Sequence, residues 1–190
     1  MINLFDTGND DFQYMLDNMG KTIYIDDVLE KALIKHIAVN NDYDDIELTT
    51  LTPIQRGDLI TYENNKYLIL SQVNSTRYGR YKALMRKCNF ILHVHVADEE
   101  VVIGHEDSGK PIVETQPTYE DYAAIVTSKV TEWATGGQLN LPQGQIQITI
   151  KDTGSTKLTV GDDFTFEGLP WTINWIDRTE NGLLILSCEN

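Results

Sequence analysis

A segment near the middle of this 190-residue chain recurs near its end. Gly57–Glu63 reads GDLITYE, and Gly161–Glu167 reads GDDFTFE. The alignment continues without a gap, so that Tyr67–Ile69 in the first copy matches Trp171–Ile173 in the second. A repeat at a fixed offset indicates that each copy is one supersecondary unit. The sequence therefore predicts two similar domains.

Each copy is typical of a β-meander, because its apolar residues alternate with polar ones. The alternation puts Ile60 and Tyr62 on one face of a strand, and Phe164 and Phe166 on one face of the matching strand. We predict that these four side chains belong to the two cores. Ile69 and Ile173, in the next strand of each copy, complete the predicted cores.

Turn-forming residues separate the predicted strands. Glu63–Lys66 and Glu167–Pro170 have turn composition, which predicts a hairpin in each copy. Asn181-Gly182 is typical of a type I′ hairpin turn. With a four-residue deletion, Met85–Cys88 aligns with Ile185–Cys188, which predicts two equivalent, buried and unreactive cysteines.

The fold class predicted is mainly β: two tandem small β-barrel or meander domains, with one or two short helices. A meander protects its strand edges by curling into a barrel or by pairing with a partner. Residues 97–118 have linker composition, so we place the boundary near residue 105, giving domains 1–105 and 106–190. Asp11–Met19 and Asp26–His36 are the two helix candidates.

The charge disfavours several classes of function. There are 15 Lys and Arg against 29 Asp and Glu, a formal net charge of −14 that would repel phosphate backbones. No apolar stretch reaches the roughly 18 residues of a membrane helix, and the first residues do not resemble a signal peptide. We therefore expect cytoplasmic synthesis, no membrane association and no specific nucleic-acid binding.

No motif indicates catalysis. The sequence contains no nucleophile elbow, no Gly-rich phosphate loop and no Cys-x-x-Cys pair. His93 and His95 have the spacing of two metal ligands on one strand face, but the sequence identifies no third ligand. Residues 40–45 lack the register of a calcium loop. We expect a protein that is not an enzyme, without cofactor or metal.

A few residues are candidates for an interface. Phe5, Phe12 and Tyr14 lie among acidic residues near the N-terminus, in a segment apolar enough to dock on a partner. Trp133 lies in a Gly-containing, loop-like segment, and exposed Trp is frequent at interface hot spots. Folding of Trp133 into the core is the alternative. Lys82, Arg86 and Lys87 form a basic cluster that could pair with a neighbouring subunit.

The repeated phrases resemble small structural proteins of tailed bacteriophages and of prophages of Gram-positive hosts. The resemblance rests on Arg56–Tyr62, Lys66–Ile69 and Tyr81–Asn89 in the first copy, and on Val160–Phe166 and Gly182–Leu186 in the second. The pattern of a Gly-Asp strand, a turn and an aromatic-led strand is similar to head-completion and head–tail connector proteins of the adaptor or stopper type.

This resemblance implies a virion protein, made in the bacterial cytoplasm, that joins portal and tail. It implies partners in a homo-oligomeric ring and in neighbouring virion proteins, and it brings no catalytic residue. A non-enzymatic ligand-binding β-barrel module is the alternative interpretation, and an enzyme is a third.

Overall fold

The computed structural model describes residues 10–37, 45–75, 79–105, 108–131, 138–140, 144–154 and 157–190. Those residues form one helix, α1, and fifteen strands. The first half contains α1 (Asp10–Met19), β1 (Lys21–Ile25), β2 (Val28–His36), β3 (Ile46–Thr50), β4 (Leu59–Tyr62), β5 (Asn65–Ile69), β6 (Asn74–Ser75) and β7 (Tyr81–Lys87). The second half contains β8 (Phe90–His105), β9 (Pro111–Thr127), β10 (Lys129–Thr131), β11 (Gln138–Asn140), β12 (Gln145–Lys151), β13 (Asp163–Phe166), β14 (Leu169–Asp177) and β15 (Leu183–Glu189).

The helix α1 confirms the first helix candidate. Phe12 and Leu16 are one turn apart and both are buried, so the helix packs one apolar stripe on the strands below it. Asp10 and Asp11 lie in the first turn, where negative charge stabilises the helix dipole. The helix ends at Gly20, whose N–H donates to the Leu16 carbonyl at 2.9 Å.

The second helix candidate, Asp26–His36, was wrong. Its first two residues form a tight turn, with φ of 44° at Asp26 and 70° at Asp27, and the rest is β2. The segment is amphipathic enough to satisfy a helical pattern. Its backbone is instead hydrogen-bonded to β1 on one side and to β3 on the other, and this pairing overrides a weak helical preference.

The first sheet is a closed barrel. Its strands follow the order β3-β2-β1-β4-β5-β7-β6, and pairing of β3 with β7 closes the ring around all strands except β6. Closure leaves this domain without exposed ladder edges in the ring. Its core is formed by buried side chains from every strand of the ring: Ile23, Ile25, Ala32, Ile46, Leu48, Ile60, Tyr62, Tyr67, Ile69, Ala83 and Met85, with Ile54 from the β3–β4 connection.

The second sheet repeats the first. Its order is β13-β14-β15-β12-β9-β8, which corresponds strand for strand to β4-β5-β7-β3-β2-β1. The Gly-Asp turns have matching hydrogen bonds. The Gly57 N–H donates to the Ile69 carbonyl at 2.9 Å, and the Gly161 N–H donates to the Ile173 carbonyl at 2.8 Å. The repeat is therefore present in the backbone as well as in the sequence.

The hairpin turns predicted within each copy are also equivalent. Glu63 and Asn64 both have positive φ, as do Glu167 and Gly168 in the second copy. Two successive positive φ angles are the signature of a type I′ turn. The turn at Gly182 differs from its prediction, because Asn181 does not share the positive φ of its neighbour. There the Leu183 N–H donates to the Glu180 carbonyl at 2.9 Å.

The two cysteines are not equivalent, which corrects the alignment of the last strands. Ile69 lies opposite Met85, whereas its counterpart Ile173 lies opposite Cys188. Met85 therefore corresponds to Cys188, and Cys88 lies three residues further along the chain. The prediction of inert thiols agrees with their surroundings, since burial raises the pKa of Cys88 and of Cys188 to about 12.

The predicted core residues differ in how deeply they are buried. Ile60, Tyr62 and Ile69 are buried in the first domain, and Ile173 is buried in the second. Phe164 and Phe166 are only partly buried, although both pack against the second core. The fully buried residues of that core come mainly from β12, β14 and β15: Ile146, Ile148, Ile150, Trp171, Ile173, Leu184, Leu186 and Cys188.

The second sheet stays open where the first one closes. In the first domain β1 pairs with β4, with Ile25 opposite Ile60. The described residues of β8 and β13, which occupy the matching positions, form no ladder. Side chains bridge this seam instead: the rings of Phe90 and Phe166 meet edge to face at 5.0 Å. Lys157 Nζ also donates to the Val96 carbonyl at 2.8 Å.

The change of sheet falls between Lys87 and Phe90. Residues 90–105 form β8 of the second sheet, although the predicted boundary near residue 105 assigned them to the first domain. The linker-like composition of residues 97–118 does not mark a linker. It belongs to a long antiparallel pair in which β8 and β9 face each other from Phe90 to His105.

The two domains meet through a small apolar cluster and a backbone contact. Leu68 of the first domain packs against Ile125 and Leu183 of the second, and all three are buried. Gly57 and Gly182 approach so closely that a Cβ built on either one would lie 1.9 Å from a carbonyl oxygen across the contact. Close packing of backbone on backbone leaves little room for the domains to shift.

Ion pairs connect the domains beside this contact. Lys151 Nζ lies 2.5 Å from Asp26 Oδ2 and 3.9 Å from Asp58 Oδ1, and Arg56 pairs with Glu180. Burial raises the pKa of the Asp58 carboxyl, and the negative charge of Asp26 acts in the same direction. The backbone N–H of Gln55 and the charge of Lys151 oppose that shift.

Candidate functional site

The most distinctive feature is a two-stranded projection formed by residues 95–105 of β8 and 111–119 of β9, which we call the arm. The registers of the two domains locate it. Ile34 lies opposite Leu48 in the first domain, and Val126 lies opposite Ile148 at the matching position in the second. The buried residues Ala32 and Ala124 consequently correspond.

Counting back along the paired strands shows what the arm replaces. In the first domain Asp26 and Asp27 join β1 to β2 directly. In the second domain the same connection runs from Val94 to Glu120 through the whole arm. The arm is thus an extension of one hairpin that the first domain keeps as a tight turn. At about 3.3 Å per residue, its strands reach roughly 25–30 Å beyond the barrel.

The end of the arm is apolar on both faces. Val101, Val102 and Ile103 of β8 and Ile112 and Val113 of β9 form this tip, and they are 38–58% exposed. A two-stranded ribbon without a third strand or a packed face is marginally stable in water. Exposed aliphatic residues concentrated at the end of such a ribbon indicate a surface that is covered in the functional state.

Between the tip and the barrel the arm is acidic. Asp98, Glu99 and Glu100 follow one another on β8, and Glu114 lies opposite Val101 on β9. All four are exposed. This acidic shaft would repel the shaft of a second arm placed beside it.

The two edges of the arm are not alike. Pro111 and Pro117 lie on β9, and proline lacks the N–H that a further strand would need. Register shifts between His95 and Ala97, and between Val102 and Gly104, show irregularities on β8. Such bulges bend a ribbon and interrupt its edge. Both devices protect an exposed ribbon against indiscriminate strand addition.

The two histidines that have the spacing of metal ligands lie at the base of the arm, where each meets a different carboxylate. His93 Nδ1 is 2.5 Å from Asp121 Oδ1, and His95 Nε2 is 2.8 Å from Asp98 Oδ1. The His95 ring also packs edge to face on Tyr119 at 5.7 Å. Among the described residues, no group of three or more His, Cys, Asp or Glu side chains could hold a metal ion.

We therefore expect chelator to leave the melting temperature unchanged. His93 and His95 each contact a different carboxylate on an exposed ribbon, so the fold around these two histidines does not require a shared metal ion. Thermal unfolding followed with and without EDTA would check this, with added Zn²⁺ as the reverse titration. A fall of several degrees on chelation that Zn²⁺ restores would contradict it.

A second surface feature lies on the first domain, between α1 and β2. It is a groove of about 380 Å³, lined by Gln13, Leu16, Thr22, Leu29, Glu30, Lys31, Thr50, Leu51 and Thr52. Leu29 is 59% exposed. Its neighbour Val28 is also exposed, as is Tyr24, which lies opposite Leu29 in the hairpin. Lys31 Nζ is 3.1 Å from Asp17 Oδ1 of α1. The groove therefore combines an apolar wall with an exposed lysine.

The third feature is a cleft of about 470 Å³ between the domains. Its first-domain wall includes Arg56 and Arg86, and its second-domain wall includes Gln147, Thr149 and Ile185. Both arginines already have carboxylate partners. Arg86 Nε and Nη2 donate to the two oxygens of Asp45, at 2.7 and 3.0 Å, and Arg56 pairs with Glu180.

The predicted interface residues fall in three different settings. Phe12 lies on the buried face of α1, and the Arg80 guanidinium is 4.4 Å from its ring centroid. The Phe12 side chain therefore stabilises the first domain. Tyr14 is exposed on the same helix. Phe5 and Trp133 lie outside the described residues.

In the basic cluster predicted from the sequence, Lys82 and Arg86 form ion pairs with carboxylates of the same chain. Lys82 Nζ is 2.7 Å from Glu47 Oε2, and Arg86 holds Asp45 with two hydrogen bonds. Sequence reasoning missed the apolar tip of the arm and the exposed Trp175, which follows a bulge in β14. The run Val101-Val102-Ile103 was a usable signal, because three consecutive β-formers are unusual in a linker.

No helix within the described part of the chain is long and apolar enough to cross a membrane.

Comparison with known proteins agrees with the division into two domains. Residues 3–87 match the family model of the YomX N-terminal domain, and residues 91–189 match that of the YomX C-terminal domain. The SPbeta prophage-derived uncharacterized protein YomX of Bacillus subtilis (strain 168) is 29% identical over 137 residues, which cover 70% of this chain and 62% of that protein. The chain thus spans less than two thirds of that relative's length, and no solved structure matches it significantly. The chain belongs to the YomX family, with its first half matching the N-terminal domain of that family and its second half the C-terminal domain.

Proposed function

We propose that this protein is a non-enzymatic structural component of a phage particle that assembles into a ring and joins portal and tail, as head-completion or head–tail connector proteins do. It would be made in the bacterial cytoplasm and function in the virion. Its partners would be copies of itself and neighbouring portal, adaptor or tail proteins. The arm is the observation that carries this proposal.

The arm supports an assembly role because its tip takes part in none of the apolar clusters that the described residues form, whereas Val96, at the base of the arm, packs against the second core. The tip is exposed, and the first domain joins the matching pair of strands with only two residues, Asp26 and Asp27. Each aliphatic side chain gains about 1.5–3 kcal/mol when it passes from full exposure to full burial, so five half-exposed ones provide a substantial drive for association.

Two further observations support a phage particle as the setting. The relative in Bacillus subtilis is named as prophage-derived. Two small β domains held together by a backbone contact and ion pairs form a stiff unit, which suits a part that transmits geometry between neighbours.

The direct test of location uses induced phage particles. Purified particles should contain the protein in a fixed ratio to the portal protein, and labelled antibody should mark the neck between head and tail. A protein that is abundant in the induced lysate and absent from purified particles would overturn the virion assignment.

The arm gives a sharp test of assembly, because the chain supplies the template for its removal. Replacing residues 95–119 by the Asp-Asp turn of the first domain should leave a folded monomer whose melting temperature changes by a few degrees at most. The wild type should form larger species with increasing concentration in sedimentation velocity, and the armless variant should not. A wild type that remains monomeric up to its solubility limit, or an armless variant that still assembles, would contradict the proposal.

The interdomain cleft is the observation that favours the alternative, a non-enzymatic ligand-binding module. Its volume of about 470 Å³ is in the range of small-molecule sites, which often lie between domains. Thermal stabilisation by oligosaccharides or short peptides, abolished by Thr149→Trp in the cleft wall, would favour this alternative.

A further inference from the structure

We propose that the tip of the arm of one copy docks into the groove between α1 and β2 of a second copy. This inference rests on the ring assembly proposed above and names the two surfaces that form the contact. The tip belongs to the second domain and the groove to the first. The contact is therefore between different surfaces, and it forms the proposed ring if the rotation from copy to copy closes.

The two surfaces match in their apolar character. The tip presents Val102, Ile103 and Val113. The groove presents Leu29 beside Leu16 and Leu51, and Val28 extends the exposed apolar surface at its margin. The volume of the groove, about 380 Å³, has room for two or three aliphatic side chains.

Two lysines at the groove are placed to meet carboxylates of the shaft, alongside Glu30 in the groove lining and Asp17 on α1. The tip is followed by the acidic shaft, where Glu99 and Glu100 are exposed. The groove has Lys31 in its lining, and Lys21 is exposed on β1, one residue from Thr22, which lies opposite Lys31. The Lys31–Asp17 pair is about half exposed on each side, so it contributes little and can be exchanged for a carboxylate of the shaft.

Other receptors for the tip fit less well. Two arms side by side would bring their acidic shafts together, and Pro111 and Pro117 obstruct one edge of each ribbon. The arginines of the interdomain cleft are already held by Asp45 and Glu180. A shaft carboxylate would have to displace one of these partners.

The rigid junction between domains makes every copy present its groove and its arm in the same relative orientation, as a regular assembly requires. Gly57 and Gly182 fix the first domain against the second, so the direction from groove to arm is the same in every copy. The exposure of the tip shows that the arm does not fold back on its own groove.

Cysteine cross-linking tests the contact directly. Of the native thiols, Cys188 is buried and Cys88 is half-buried, and burial raises the pKa of each to about 12, so neither is expected to compete. A mixture of Val102→Cys and Leu29→Cys proteins should give a disulfide-linked pair containing one of each on mild oxidation. The matched control is Val102→Cys with Leu169→Cys, because Leu169 is similarly exposed on β14, away from the groove.

The double variant with Val102→Cys and Leu29→Cys should give a ladder of oligomers up to a closed ring. Equal cross-linking to Leu29→Cys and to Leu169→Cys would overturn the docking proposal. Rings seen by native mass spectrometry without the Leu29 cross-link would overturn the docking alone, whereas the absence of any wild-type oligomer would overturn the proposed function.

Charge reversal gives an independent readout. Lys31→Glu should weaken assembly by about fivefold, the equivalent of about 1 kcal/mol, and Glu99→Lys with Glu100→Lys should weaken it similarly. Mixing or combining the reversed surfaces should restore assembly towards the wild-type concentration dependence. If the combined variants assemble more weakly than either single reversal, the two charged surfaces do not compensate each other, and this result would contradict a contact between shaft and groove.

Discussion

Replacing Gly57 by alanine is expected to lower the free energy of unfolding by about 3 kcal/mol or more, whereas Gly161→Ala should cost only about 1–2 kcal/mol. The two glycines occupy equivalent turns, with φ of +89° and +98°. Each substitution therefore introduces the same strain of a left-handed backbone. What differs is the surrounding space.

A Cβ at position 57 would lie 1.9 Å from the Gly182 carbonyl oxygen and 2.6 Å from its carbon. Those atoms are backbone, so relief requires the domains to separate and disturbs the contact of Leu68 with Ile125 and Leu183. At Gly161 nothing lies within 4 Å. The difference between the two variants thus isolates the contribution of the interdomain contact.

Urea unfolding followed by both fluorescence and circular dichroism would measure these changes. The wild type should unfold in one transition, and Gly57→Ala should broaden or split it as the domains lose their coupling. Gly182→Ala should reproduce the effect from the other side, because its Cβ would meet the Arg56 carbonyl oxygen. Equal losses for Gly57→Ala and Gly161→Ala would show that strain alone sets the cost.

The repeat was the part of the fold that the sequence could predict, because it rests on local chemistry. The glycines of the Gly-Asp turns indicate a backbone with positive φ, and alternating apolar residues such as Ile60 and Tyr62 indicate one buried face of a strand. Both indications hold in either copy. The strand Gln145–Lys151 was predictable for the same reason. Two domains of the same strand order follow from these signals.

The arm was not predictable from the same signals. Gly104, Gly109, Pro111 and Pro117 are typical of linkers, and only the register of β8 against β9 shows that they interrupt one continuous ribbon. The open seam between β8 and β13 is a second consequence of long-range pairing. A pattern within one strand does not specify whether a barrel closes.

The interface candidates remain predictions, and those that the structure describes lie in different settings. An aromatic residue in an amphipathic segment can face a partner or its own core, and the choice depends on the surface beneath it. Phe12 faces the first domain and Tyr14 faces solvent, only two residues apart on α1. Phe5 and Trp133 remain predictions.

The second large effect concerns the pair formed by Asp45 and Arg86. We expect Asp45→Ala to cost about 3–5 kcal/mol, because it leaves a mostly buried guanidinium without the carboxylate that neutralises it. The side chains are only 18% and 10% exposed, and the contact has two hydrogen bonds, at 2.7 and 3.0 Å. Arg86 also lines the interdomain cleft, so the loss should extend to the contact between domains.

A neighbouring pair between β3 and β7 is the matched control. Glu47 of β3 lies two residues after Asp45, which immediately precedes that strand, and its carboxylate holds Lys82 of β7 at 2.7 Å, with the lysine 45% exposed. Glu47→Ala should therefore cost less than about 1 kcal/mol. The double variant Asp45→Ala with Arg86→Met should recover much of the loss, since an apolar side chain of similar volume removes the buried charge.

Urea unfolding of the four proteins distinguishes the cases. If Asp45→Ala and Glu47→Ala are equally mild, Arg86 is solvated in the cleft and its bidentate contact does not stabilise the domain. If Asp45→Ala alone is severe and Arg86→Met rescues it, the arginine that resembled part of a subunit-binding cluster is a structural element of the first barrel.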